Sequence, residues 1–144
     1  MWKNDMKNGI GIFYDKFNRK QFEGEFVDDL QQGQGISYYN DNFDGTRVEY
    51  EGEWVNGEPD GKGIKYYQYG STPKYDGTFK RGLYSGFGKL FEPNGCYYIG
   101  NFLYGVRDGI GARYLSNGTP LFEGTYKLGL KHGKCKEYYT DGSV

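Results

Sequence analysis

Few residues in this chain have the type and spacing to do chemistry. One histidine, His132, stands beside Gly133, and the two cysteines, Cys96 and Cys135, are far apart. A lone imidazole with no neighbouring Cys or His makes neither a catalytic triad nor a zinc site. His132 therefore reads as a solvated turn residue, and the cysteines as small packing residues or free thiols. Five carboxylates crowd one stretch: Glu49, Glu51, Glu53, Glu58 and Asp60. Strand alternation puts Glu49, Glu51 and Glu53 along one face, without the convergence that calcium ligands need. A solvated face is expected, with an acidic docking patch for a basic partner as the alternative. Gly-x-Gly pairs such as Gly86-Phe87-Gly88 lack the third glycine and the helix of a dinucleotide loop. No catalytic residue, cofactor or metal is expected, and the chain reads as not an enzyme.

The elements that must position these residues are built from an unusual composition. Sixteen Tyr, ten Phe and two Trp outnumber the Ile, Leu and Val residues, and 25 of 144 residues are glycine. Disordered chains can be that rich in glycine but are poor in aromatics, so this one folds. Net charge is −1. Residues 1–21 carry five bases and two acids, 22–74 four and eleven, and 75–144 nine and six. The acidic centre gives no electrostatic footprint for nucleic acid. No apolar run approaches a membrane span, and the start MWKNDMKNG is not a signal peptide. With isolated cysteines, the setting expected is the reducing cytoplasm.

The glycines are periodic. Take as anchors the glycines of the segments FEG, YEG, YDG, YIG and FEG: Gly24, Gly52, Gly77, Gly100 and Gly124, spaced 28, 25, 23 and 24 residues. Others recur five, nine, eleven and eighteen residues after the anchors. Where a turn glycine is missing the chain has Asp5, Asp29 or Asn18, the residue types that best tolerate left-handed backbone. Two turns per repeat leave room for two strands. The spacing thus predicts an all-β fold, an elongated single-layer antiparallel meander of eleven or twelve strands. Residues 1–144 form one array, or a segment of a longer protein: a partial repeat at 1–21, then repeats at about 22–49, 50–74, 75–97, 98–121 and 122–144.

Alternation places two rings and a glycine on one face of each anchor strand. These are Phe22-Gly24-Phe26, Tyr50-Gly52-Trp54, Tyr75-Gly77-Phe79, Tyr98-Gly100-Phe102 and Phe122-Gly124-Tyr126. A further aromatic stands fourteen after each register position: Tyr14, Tyr38, Tyr66, Phe91, Tyr114 and Tyr138. The favoured register pairs position three with position nine, which puts both aromatic sets on one face and Ile12, Ile36 and Ile64 over the anchors. A one-residue slip would instead put the Gly-x-Gly glycines beneath the rings. Either way glycine leaves space that a ring fills. A single sheet cannot bury a whole face of rings, so a partly exposed aromatic groove is expected, lined by these ten triplet rings.

The segments YEGEWVNGEPDGKGIKYY and YDGTFKRGLYSGFGKLF resemble MORN repeats (membrane occupation and recognition nexus), and the resemblance runs along the whole chain. The last repeat departs at Cys135, and the 22–49 repeat at Asp29 and in its longer tail. The resemblance implies a hairpin-array scaffold in cytoskeletal, ciliary or membrane-associated assemblies. The function expected is a non-catalytic protein-interaction scaffold that binds a helix or extended peptide in the aromatic-lined groove. Such arrays also precede lysine methyltransferase and phosphatidylinositol phosphate kinase domains, so an accessory region of a larger enzyme is the alternative. Terminal strand edges could pair with a second copy. Lipid binding, which family custom assigns to the repeat, would draw on Lys16, Arg19, Lys20, Lys131, Lys134 and Lys136, and sits poorly with the acidic centre.

Overall fold

The computed structural model describes residues 2–3, 6–40, 47–69 and 72–138, with strands, turns and short connections and no helix among them. The chain divides into two compact units, Met1–Pro73 and Lys74–Val144. In the first unit, β1 (Trp2–Lys3) and β2 (Met6–Lys7) precede β3 (Gly9–Tyr14), β4 (Lys20–Val27), β5 (Leu30–Tyr38), β6 (Val48–Val55) and β7 (Glu58–Tyr66). The second holds β8 (Pro73–Lys80), β9 (Leu83–Phe91), β10 (Tyr97–Leu103), β11 (Val106–Tyr114), β12 (Pro120–Lys127) and β13 (Leu130–Glu137). Within each unit the strands pair antiparallel in chain order: β1 with β2, β3 through to β7, and β8 through to β13. This is the expected all-β meander of hairpin repeats.

Each of the five repeats from residue 22 onward closes through a two-residue turn whose central residues both have positive φ, such as Asn56 (49°) and Gly57 (85°). That is the turn geometry whose twist matches the flanking strands. Asp29 (φ 70°) and Asn18 (φ 62°) adopt the left-handed backbone expected of them. Asp5, Gly45, Gly70 and Gly142 lie outside the described residues.

The register differs from the favoured one. Val55 pairs with Glu58 and Trp54 with Pro59, yet Gly52 faces Gly63. Between those pairs Glu53 alone spans Asp60, Gly61 and Lys62, a bulge with two extra residues on β7. Its turning point, Gly61, has φ 103°, a backbone state that favours glycine. The same shift recurs in the other repeats. Anchors therefore face the second glycine of each Gly-x-Gly pair, Gly24 with Gly35, Gly77 with Gly88 and Gly100 with Gly111, and Gly124 faces Cys135. The isoleucines do not sit over the anchors: Ile36 and Ile12 face Glu23, and Ile64 faces Glu51. The two aromatic sets fall on opposite faces. On the second face the Tyr38 and Tyr66 hydroxyls donate to the carboxylates of Glu23 and Glu51.

On the first face the glycine row is a floor for rings. A β-carbon at Gly63 would lie 2.2 Å from Tyr50 Oη, one at Gly88 2.2 Å from Tyr75 Oη, and one at Gly111 2.1 Å from Tyr98 Oη. Each ring crosses the row and reaches the carbonyl opposite the bulge. Tyr50, Tyr75 and Tyr98 donate to the carbonyls of Glu53 (2.8 Å), Thr78 (2.9 Å) and Asn101 (3.3 Å). The rings meet edge to face, the arrangement their quadrupoles favour. Centroids lie 5.0 Å apart in Tyr75–Phe79, 5.2 Å in Tyr98–Phe102 and 5.2 Å between repeats in Tyr75–Phe102.

Candidate functional site

The ten rings expected to line an open groove are buried. Phe22, Phe26, Tyr50, Trp54, Tyr75, Phe79, Tyr98, Phe102, Phe122 and Tyr126 have relative exposures between 0% and 6%. The expectation of partly exposed rings is corrected: they are the core. Two things close the face. The glycine row lets the rings lie against the sheet, and one residue per repeat covers them.

The covering residue stands seven after each anchor, opposite the second ring of the triplet. Gln31 faces Phe26, Pro59 faces Trp54, Tyr84 faces Phe79, Arg107 faces Phe102 and Lys131 faces Tyr126. Tyr84 stacks flat on Tyr75, at 4.0 Å and 8°. The Arg107 guanidinium lies 5.1 Å from the Tyr98 ring centre and 5.4 Å from that of Tyr126, and Lys131 Nζ lies 4.5 Å from that of Phe122. These are cation–π distances. The sequence carried a signal for this lid. A two-residue turn at positions four and five forces seven opposite two, and the lid follows from that parity.

In the second unit the lid borders an open cleft of about 550 Å³, lined by Glu92, Arg107, Arg113, Phe122, Tyr126 and Lys131 among others. Two of its cations are already paired. Arg113 grips Glu92 with two bonds, Nε to Oε2 at 2.8 Å and Nη2 to Oε1 at 3.0 Å, and Lys131 Nζ donates to Glu137 at 2.5 Å. Arg107 makes ring contacts but no ion pair among the described residues. Burial pushes the Tyr75 and Tyr98 hydroxyls up to about 12, so both stay neutral near pH 7. The cleft thus has a partly apolar floor, two neutralised ion pairs at its rim, and Arg107 as the one lining cation with no ion pair among the described residues.

Of the five clustered carboxylates, Glu49, Glu51 and Glu53 are engaged in hydrogen bonds, as Glu25 is in the preceding repeat. Glu53 Oε2 accepts the Lys62 N–H at 2.5 Å and Glu25 Oε2 the Gln34 N–H at 2.7 Å, each securing a bulge. Glu51 accepts from Tyr66, and Glu49 from Ser37 Oγ at 3.4 Å. Among the described residues no group of three or more His, Cys, Asp or Glu could hold a metal. His132 is exposed but sits on β13 opposite Thr125, not in a turn. Cys96 is buried, Cys135 exposed, and both are free thiols.

The MORN repeat family model matches the chain six times, over residues 1–16, 22–42, 50–72, 75–97, 98–119 and 122–144. No curated protein matches it.

Proposed function

The chain belongs to the MORN repeat family, and on that premise we propose that it is a non-catalytic scaffold that holds a helix or extended peptide over the ring-floored face. MORN repeats generally mediate protein or membrane interactions. The observation that carries the finer reading is the cleft of the second unit, where Arg107 lies over two buried rings without an ion pair among the described residues. Arginine and aromatic residues in desolvated pockets carry most of the energy at protein interfaces. Packing on Tyr98 and Tyr126 fixes the guanidinium before a partner arrives, which lowers the entropy cost of binding. The ten rings then act from below: they set the height and position of Tyr84, Arg107 and Lys131, which touch the partner first. The setting proposed for it is a cytoplasmic cytoskeletal or ciliary assembly.

The test is capture of a partner by the intact chain from cytoplasmic extract, repeated with Arg107→Leu and Tyr84→Ala after circular dichroism shows both fold. Loss of the captured protein in both variants supports the reading. Equal capture by both variants sinks it.

A further inference from the structure

A different part of the molecule breaks a local rule. Two-residue turns of this kind need positive φ at both central positions, which Asn, Asp and Gly supply most readily. In the first unit the tips obey, with Asp28-Asp29 and Asn56-Gly57. In the second unit Arg81 (φ 50°) holds the first central position of one tip, and the large apolar residues Tyr104 (φ 50°) and Leu128 (φ 52°) hold that of the other two. Bulky side chains are outliers in that region, and such strain gathers at functional sites. Neither residue gains burial in return: Tyr104 is 78% and Leu128 74% exposed.

These two belong to a continuous ridge. Leu83, Leu103, Val106 and Leu130 are also large exposed apolar residues. A β-carbon at Gly105 would lie 3.7 Å from Leu83 Cδ2, and one at Gly129 3.6 Å from Val106 Cβ, so each tip abuts the hairpin before it. Each is also hydrogen-bonded there, Gly105 N–H to the Tyr84 carbonyl at 3.0 Å and Gly129 N–H to the Arg107 carbonyl at 2.9 Å. The tips form a fixed row. Lys80 and Arg81 line a cleft of about 460 Å³ beside Leu83, Leu103 and Tyr104, and Lys127 precedes Leu128. The nearby Asp108 is turned to its own use, accepting the Leu128 N–H at 3.4 Å.

We propose that this tip ridge is a second docking surface, separate from the ring-floored face, and that its occupant is an amphipathic helix of a partner protein with Asp or Glu beside its apolar stripe. Spacing favours a helix. Successive tips are two strands apart, about 9.6 Å, and a helix advances about 10.5 Å in seven residues. Leu side chains one heptad apart thus meet successive tips. An extended peptide fits less well, because strand addition needs free backbone groups and the Gly105 and Gly129 N–H groups are already bonded. Lys80 and Lys127, which make no ion pair among the described residues, call for acids on the partner and disfavour a second copy of the same surface.

The probe is a fluorescent 21-residue synthetic helix with Leu at the two core positions of each heptad and Glu flanking them, titrated into the full chain by anisotropy. The decisive variant is Tyr104→Asn with Leu128→Asn, which relieves the turns and so raises Tm. It should weaken the helix at least tenfold, and a probe with Lys in place of Glu should not bind. Arg107→Leu should leave this binding unchanged, which separates the ridge from the proposed role of the ring-floored face. Unchanged affinity in the double Asn variant overturns the proposal. So does tip-dependent binding to phosphatidylcholine–phosphatidylserine vesicles with none to the helix.

Discussion

Substitution of Gly88 by alanine probes the packing most sharply. The added β-carbon would stand 2.2 Å from Tyr75 Oη and 2.3 Å from its Cζ. The ring has no easy retreat, because Tyr84 stacks on it at 4.0 Å and it is wholly buried. Complete expulsion of a ring covering about 150–250 Å² would cost about 4–6 kcal/mol at ~25 cal/mol per Å². Overpacking relieved by small shifts costs about 1–3 kcal/mol. Because the stacked Tyr84 restricts those shifts, the upper end of that range, about 3 kcal/mol, is expected, a Tm loss of about 6–12 °C for a chain of this size. Urea unfolding of Gly88→Ala in the wild-type and Tyr75→Leu backgrounds completes a double-mutant cycle. Without the ring the alanine should cost under about 1 kcal/mol, since alanine is otherwise the better strand residue. A cost equal in both backgrounds would show that the ring is not what glycine makes room for.

Other positions give independent checks. Gly11→Ala, with open space around its β-carbon and no positive φ, should be neutral or slightly stabilising, whereas Gly82→Ala at φ 83° should cost about 1–2 kcal/mol from backbone strain alone; equal effects by thermal melting would count against this. Tyr75→Phe removes the bond to the Thr78 carbonyl and should cost about 1 kcal/mol by urea unfolding, the ring itself being tolerated, as Phe22 and Phe122 show at the matching positions; no change would mean the hydroxyl bond adds nothing. Tyr75 and Tyr98 hold their protons to about pH 12 in the fold, but release them near pH 10 when unfolded. Their contribution is therefore complete below pH 10 and declines between pH 10 and 12; a melting temperature flat across that window contradicts their burial.

Glycine periodicity was enough to establish the meander, because each turn type demands a backbone state few residues adopt. Asn18 and Asp29 show this best: they replace glycines, and both take positive φ. Register was harder. Pairing position three with nine presumes a five-residue turn, whereas Asn56-Gly57 is a two-residue turn that sets Val55 opposite Glu58. That parity alone places Gly63, not Ile64, on the face of Tyr50. The bulge was not legible, since Gly61 reads in sequence like any other glycine and only its φ of 103° reveals the extra residues. The burial of Trp54 and Phe79 depended on the lid from the neighbouring strand, which alternation within one strand cannot show. The tips Tyr104 and Leu128 were hidden for a simpler reason: a glycine follows each, and the dipeptide reads as an ordinary turn.

The central claim, that glycine is the floor on which the rings lie, meets its most direct test in proton NMR of the Gly63, Gly88 and Gly111 α-protons. Beneath the rings of Tyr50, Tyr75 and Tyr98 they should be shifted strongly upfield and show Overhauser contacts to those rings, while Gly82 at a turn tip keeps an ordinary shift. Unshifted α-protons, with the tyrosine rings contacting Ile64, Lys89 and Ala112 instead, would contradict it.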